Sequence, residues 1–185
     1  LQYCRNIKYS VGVEPFKPYL KESKKRKIHD KYLNKKIEEL DFPENSFDAV
    51  IMIEVLEHLP KSVGLKVIEK AEKWARKKII ITTPNGYFPM GRIDNNPWQE
   101  HLSGWTIAEF YKLGFVCYGQ AGIKFFYKSE NKTESLVNET ELATYANMRF
   151  RPKRLCYLVN ALFQVFAYYF PYLSFELFTI KEKYV

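Results

Sequence analysis

Residues 51–60, IMIEVLEHLP, run from an apolar stretch directly into Glu54, Glu57 and His58. Positions i, i+3 and i+4 share one face of a helical turn, so these three side chains converge if the chain turns helical there. Two carboxylates and an imidazole form a mixed hard and borderline donor set, suited to Mg²⁺, Mn²⁺, Fe²⁺ or Zn²⁺. The same groups can instead take a proton from a reacting hydroxyl. A further donor, His101, lies downstream in NPWQEHLSGW, so two of the three histidines of the chain fall in this set, His29 being the other. A plainer reading stands beside it: acids near a helix start complement its dipole, and His58 makes a structural hydrogen bond. Spacing alone does not choose. Glu14 follows VGV at a place where a strand should stop. A carboxylate there can accept both hydroxyls of a ribose, or it can be an exposed loop acid.

Positioning these residues falls to alternating strands and helices. SVGVEPF reads as a strand, and KPYLKESKKRK as a short helix with a charged outer face. A weak strand lies within KYLNKKIEEL, before the turn-rich DFPENSFD. The continuous apolar run FDAVIMI (47–53) predicts a strand covered on both faces. Val63, Val67, Ile68, Ala71, Trp74 and Ala75 mark one face of the next helix, and KKIIITTPNG another buried strand. In GWTIAEFYKLGF, Thr106 and Glu109 form a capping box, Trp105 and Phe110 a staple, and Gly114 a left-handed stop before the strand FVCYG. The pattern predicts an α/β fold with a mainly parallel sheet and helices on both faces, in which ligands bind at the carboxyl ends of strands. Glu14, Glu54 and Thr82–Gly86 all fall at such ends.

Residues 129–148 are polar and read as loop with some helix. Beyond them, Leu155, Leu158, Val159, Leu162, Phe163, Phe166 and Phe170 keep helical spacing, opposite an uncharged face of Tyr157, Asn160, Gln164 and Tyr168. Such a helix prefers cover on nearly every side, which predicts packing against the domain. Arg149, Arg151, Lys153 and Arg154 precede it, so peripheral membrane contact through 149–170 is the competing expectation. A transmembrane span is not expected, because Asn160, Gln164 and Pro171 interrupt the run short of the roughly 20 apolar residues required. YLSFELFTIKEK reads as a final alternating strand with Leu173, Phe175, Leu177 and Thr179 on one face.

The chain has 185 residues, 46% of them hydrophobic and 27% charged, which fits one globular domain with a real core and excludes a disordered chain. The formal net charge of +8 comes mostly from scattered lysines, and no focused basic cluster lies beside the candidate site, which argues against nucleic acid as partner. Three cysteines (Cys4, Cys117, Cys156) without a CxxC pair suit a reducing cytoplasm. The sequons at Asn131 and Asn138 would matter only in a secreted protein. The chain opens at Leu1 on what reads as the end of a strand, so a preceding N-terminal piece is expected.

In order, VGVEPF, IEELDFPENSFDAVIMIEVLEHL, ARKKIIITTPNG and HLSGWTIAEFYKLGF resemble class I S-adenosylmethionine-dependent methyltransferases of the type 11 group, over about residues 8–120. The resemblance implies a Rossmann-like seven-stranded sheet. It implies that Glu14 binds the cofactor ribose, Pro15 or Phe16 lies against the adenine, and Lys36 and Ile37 edge the ring; Glu54 joins the cofactor side of the site. Many members carry an aspartate where Lys36 stands. The glycine-rich first motif is missing before Val11, and GQAG at 119–122 comes too late to replace it. Within the superfamily, E-x-x-E-H with a later histidine is similar to the divalent-metal site of ubiquinone-biosynthesis and small-RNA 2′-O-methyltransferases, matched here by Glu54, Glu57, His58 and His101. The expectation is methyl transfer to an oxygen of a small-molecule, glycan or lipid-linked acceptor, with Glu57, His58 and His101 as base or metal site and 125–172 as acceptor cover. An RNA 2′-O-methyltransferase and an inactive interaction domain are the alternatives.

Overall fold

The computed structural model describes residues 4–92, 94–128 and 148–183. Both sequons, the polar stretch 129–147 and the matching part of the expected acceptor cover lie outside the described residues. The chain forms two compact units, Leu1–Phe42 and Pro43–Val185, described here separately.

In the first unit β1 (Val11–Val13) pairs in parallel with β2 (Lys31–Leu33), with α1 (Lys17–Lys25) between them. Pro18 opens α1, where its missing N–H costs nothing, and Lys24 and Lys25 face the negative end of the helix dipole. Tyr32 pins the return from helix to strand: its hydroxyl accepts from the His29 N–H (2.8 Å) and donates to the Ser23 carbonyl (3.0 Å). β1 needs Gly12, because a Cβ there would lie 2.4 Å from the His29 ring.

The second unit is built on a four-stranded sheet in the order β3 (Phe47–Ile53), β4 (Ala75–Pro84), β6 (Ser174–Glu182), β5 (Val116–Ile123). β3 and β4 are parallel, while β6 runs antiparallel to both β4 and β5. The mixed sheet refines the parallel expectation: β1 with β2 and β3 with β4 are parallel, and the last strand returns antiparallel between β4 and β5. α2 (Lys61–Trp74) buries Val67, Ile68, Ala71 and Trp74 as its periodicity predicts. α3 (Ile107–Lys112) has the predicted capping box, with Thr106 Oγ1 accepting from the Glu109 N–H and Glu109 Oε2 from the Thr106 N–H. Gly114 follows at φ 80°.

Two expectations are corrected. β3 is not covered on both faces: Met52 is buried, but Ile51 and Ile53 are exposed, because β3 is the edge of its sheet and packs on one face only. The apolar helix also faces the other way from its hydrophobic pattern. It folds as α4 (Lys153–Leu162) and α5 (Gln164–Tyr169), whose inward residues are Cys156, Asn160 and Ala167, while Leu155, Leu158, Leu162, Val165 and Phe166 lie outside. The cause is the pairing irregularity in β5 between Gln120 and Ile123, with left-handed Ala121 (φ 60°) and Gly122 (φ 72°). Backbone groups freed there need partners. Asn160 Oδ1 accepts from the Ile123 N–H (2.7 Å) and Gln164 Oε1 from the Gly122 N–H (2.8 Å), while their amide groups donate to the carbonyls of Ala121 and Gly119.

α2 crosses Trp105 at Gly64, where a Cβ would come 2.6 Å from the indole Cζ2. Helix propensity alone favours alanine at such a position by roughly 1 kcal/mol. Trp105 is wholly buried and cannot give way. Gly64→Ala is therefore expected to destabilise the protein, by roughly 1–3 kcal/mol, in urea unfolding; stabilisation would show that the indole moves.

Candidate functional site

The carboxyl end of β3 breaks sharply. Glu54 takes the left-handed conformation (φ 50°), unusual for a side-chain-bearing residue, and Leu56–His58 form one tight 3-10 turn. Thr82, on the neighbouring strand, holds Glu54: its hydroxyl donates to Glu54 Oε1 (2.9 Å), and its carbonyl accepts from the Glu54 N–H (3.1 Å). Leu56 and Glu57 point into the protein and His58 is half-buried.

The loop carrying His101 is fastened to this turn through the backbone. The Glu57 carbonyl accepts from the N–H groups of Leu102 (2.7 Å) and Ser103 (3.0 Å), and Ser103 Oγ donates to the Leu56 carbonyl (3.1 Å). The Trp105 indole N–H donates to the same Ser103 hydroxyl (3.1 Å), and Lys61 Nζ lies 3.7 Å from the indole ring while donating to the Gly104 carbonyl (2.6 Å). Residues 86–90 close over the loop, with the His101 N–H donating to the Met90 carbonyl (3.0 Å).

This fastening brings the two imidazoles edge to face, ring centroids 4.8 Å apart. One donor atom each from Glu57, His58 and His101 lies within 4.8 Å of the others. Both tautomers follow from their partners. His101 Nδ1 lies 2.6 Å from the Phe88 carbonyl and His58 Nδ1 3.2 Å from the Glu100 carbonyl. A carbonyl only accepts, so each Nδ1 carries the proton and each Nε2 keeps a free lone pair. Burial, and then the neighbouring His58, push His101 down to about 4; burial also lowers His58. Both rings are neutral near pH 7.

Glu57 is the opposite case. Its side chain is fully buried, and among the described residues neither carboxyl oxygen makes a hydrogen bond of ordinary geometry, though Glu54 and the Thr83 hydroxyl stand near enough to act on it. Burial, and then the Glu54 carboxylate, push it up to about 9. Glu54 is close enough for that effect but stays outside the three-donor group. The sequence reading missed Glu176, which stands on β6 opposite Pro84. Burial, with a smaller contribution from Glu54, raises it to about 7. The one signal for it was an acid in the otherwise apolar alternation of β6.

The remaining predicted residues lie in the first unit. Glu14 ends β1, half-buried, and its Oε1 accepts from the Phe16 N–H (2.8 Å). Burial raises its pKa, and the Phe16 N–H opposes the shift. Asn34 Nδ2 donates to the carbonyls of Glu14 (2.9 Å) and Pro15 (2.8 Å), fixing the turn that carries them. Lys36 and Ile37 begin a 3-10 turn that runs to Glu39.

Residues 1–80 match the Methyltransf_11 family, a methyltransferase domain. Among solved structures, the chain is similar to a SAM-dependent methyltransferase from Archaeoglobus fulgidus, with TM-score 0.53 and 12% identity over 94% of this chain and 76% of that one. It is also similar to a structure of the Haloferax volcanii Trm112 methyltransferase activator in complex with a methyltransferase, with TM-score 0.52 and 13% identity over 95% of this chain and 71% of that one. At such identities these structures speak for the fold. No curated protein matches the chain. The mixed sheet with flanking helices is a Rossmann-like class I methyltransferase fold.

The Glu57 carboxyl gives a signed expectation for the metal-free protein. Its folded pKa, about 9, lies above the ordinary glutamate value of 4.5, so folding takes up a proton. The benefit of that proton is complete below the unfolded value and is lost as pH rises toward 9. Glu57→Gln keeps the shape and removes the titration. With chelator present it should raise Tm at pH 8 by several degrees and flatten the fall of Tm between pH 5 and pH 9. Equal pH profiles for variant and parent, by scanning calorimetry, would mean that Glu57 is not held protonated.

Proposed function

We propose that this chain is a class I S-adenosylmethionine-dependent methyltransferase, that it methylates an oxygen of a small-molecule, glycan or lipid-linked acceptor, and that Glu57, His58 and His101 prepare that oxygen. The observation carrying this reading is that one donor atom each from Glu57, His58 and His101 lies within 4.8 Å of the others, with the Glu57 carboxyl buried and without a hydrogen bond of ordinary geometry. A buried polar group without a partner costs roughly 1–3 kcal/mol, so its retention calls for a partner outside the protein.

That donor set fits a divalent cation. Both imidazoles have the tautomer a ligand requires, each fixed by a backbone carbonyl behind it. Glu57, His58 and His101 would hold the ion, and Glu54, tied to Thr82, would add negative charge beside it. Such an ion would lower the pKa of a hydroxyl brought to it. The imidazoles are weaker candidates for proton removal unaided, since a ring held at about 4 has little affinity for a proton at neutral pH. Binding the ion requires Glu57 to lose its proton, so affinity should rise with pH.

The cofactor supplies a methyl group on a sulfonium, and the protein's task is to hold acceptor oxygen, methyl carbon and sulfur in line. An ionised Glu14 is an acceptor-only group, suited to the two hydroxyls of the cofactor ribose. Phe16 and Pro15 would lie against the adenine, with Lys36 and Ile37 at its edge.

Two expectations follow. By calorimetry, Glu14→Ala should weaken S-adenosylmethionine binding by about tenfold or more, the value of charge-assisted hydrogen bonds to a diol; unchanged affinity would remove Glu14 from the cofactor site. His101→Ala should abolish methyl incorporation from labelled cofactor and leave cofactor affinity within about threefold, since this reading assigns the imidazole to the acceptor oxygen and not to the cofactor. Loss of turnover with a strong chelator and its return with added divalent ion supports the cation. Full turnover in chelator would leave the imidazoles as bases without a metal.

A further inference from the structure

We infer that the outward face of α4 and α5 docks on an anionic membrane surface. This face has the side chains that such a surface binds and lacks those that it repels. Leu162, Val165 and Tyr169 are exposed by 81%, 70% and 71%, and Leu155, Leu158, Phe166, Phe170 and Tyr172 continue the same surface. From Leu155 to Phe175 the sequence has no charged residue. Ordinary surfaces scatter their apolar side chains singly, whereas a contiguous patch of this kind marks an interaction site.

The inversion of the helix is itself part of the argument. Asn160 and Gln164 turn inward because the irregular backbone of β5 requires their amides. Gly119 lets α5 approach so closely that a Cβ there would meet the Ala167 carbonyl at 2.0 Å. The aliphatic residues are thereby committed to the outside by bonds on the opposite face.

Charge selects the occupant. Arg149, Arg151, Lys153 and Arg154 immediately precede the apolar stretch, and no acidic residue occurs between Met148 and Phe175. Arg149 lies over the ring of exposed Phe125 (5.2 Å), next to exposed Phe150, which extends the apolar surface under the cationic groups. Among the described residues, a second copy of this face would offer those cations no acid to pair with. Anionic headgroups offer many, and each basic side chain near them adds to binding. Tyrosine and phenylalanine suit the boundary between acyl chain and headgroup. Among the described residues no helix is long and apolar enough to cross a membrane, so the contact is interfacial.

The face also ends at the candidate site. Asn85, which follows β4, donates to the carbonyls of Pro171 (3.1 Å) and Ser174 (3.0 Å) at the end of the apolar stretch. Phe175 packs on Phe88 (5.0 Å), whose carbonyl orients His101.

Flotation with vesicles tests the inference independently of methyl transfer. The protein should float with vesicles of phosphatidylcholine containing phosphatidylglycerol, and less as salt rises. Binding to pure phosphatidylcholine should be on the order of a hundredfold weaker, as should binding of an Arg149→Gln, Arg151→Gln, Arg154→Gln variant to the anionic vesicles. Leu162→Glu with Val165→Glu changes only exposed positions and should abolish flotation with Tm and circular dichroism unchanged. Flotation of this folded double variant like the parent, or no flotation of the parent at low salt, overturns the inference. So does concentration-dependent dimerisation in sedimentation velocity that the same variant removes, since the face then binds a second copy.

Discussion

One carbonyl, that of Glu57, accepts the backbone N–H groups of both Leu102 and Ser103, and the candidate site depends on that junction. It binds a loop to a turn more than forty residues away in sequence, at roughly 1 kcal/mol per bond, too little to hold the loop unless the surroundings are closed to water. Trp105 and Leu56, wholly buried, supply that closure, and the Ser103 hydroxyl bridges them by accepting from the indole and donating to the Leu56 carbonyl. Gly104 is needed for the same reason. A Cβ there would stand 2.4 Å from the Tyr87 nitrogen, so the strand end and the loop could not close together. The imidazoles of His58 and His101 meet because the chain around them has no room to separate.

Convergence creates an electrostatic conflict, and the protein resolves it by moving protons. Two imidazoles at contact cannot both be cations, and two carboxyls beside one another cannot both ionise cheaply. Burial, more than the neighbouring Glu54, raises Glu57 to about 9, and burial, more than the neighbouring His58, lowers His101 to about 4, the reverse of their solution order. Folding alone gains nothing from such an arrangement: an apolar residue in place of Glu57 would avoid its desolvation. A positive ligand would draw the proton off Glu57 and would favour the neutral His101 imidazole that burial already favours.

The sequence showed most of the elements because they obey local rules. The apolar run 47–53, the periodicity of α2 and the capping box of α3 each specify structure within a few neighbouring residues. The grouping of Glu57, His58 and His101 was also legible, from residue type and from their place at strand ends. What could not be read was the geometry of the break. A helical turn would put Glu54 and Glu57 on a common face, whereas left-handed Glu54 and a 3-10 turn bury Glu57 and leave Glu54 with Thr82. The place of Glu176 could not be read because only the antiparallel pairing of β6 with β4 sets it opposite Pro84. The outer position of β3 in its sheet, which exposes Ile51 and Ile53, likewise depends on strand order rather than on the run itself.

The orientation of α4 and α5 shows when hydrophobic periodicity loses. Burying a leucine instead of exposing it gains roughly 1.5–3 kcal/mol, so turning the apolar face inward would favour folding if the opposing surface were smooth and apolar. The surface opposite is the irregular part of β5, where Gly119, Ala121, Gly122 and Ile123 present backbone groups that β6 does not pair. Leaving such groups buried and unpaired would cost roughly 1–3 kcal/mol each, the same range as one buried apolar side chain gains, so the two faces of the helices compete closely; the Ala121 carbonyl also accepts from the Tyr127 hydroxyl (2.6 Å). Asn160 and Gln164 satisfy all four, one helical turn apart, so the helices must present this edge to the sheet. Their spacing of four residues therefore offsets the aliphatic stripe opposite in setting the orientation. An uncharged polar pair at i and i+4 on an otherwise apolar helix deserves to be read as an inward anchor wherever the facing strand contains glycines and a bulge.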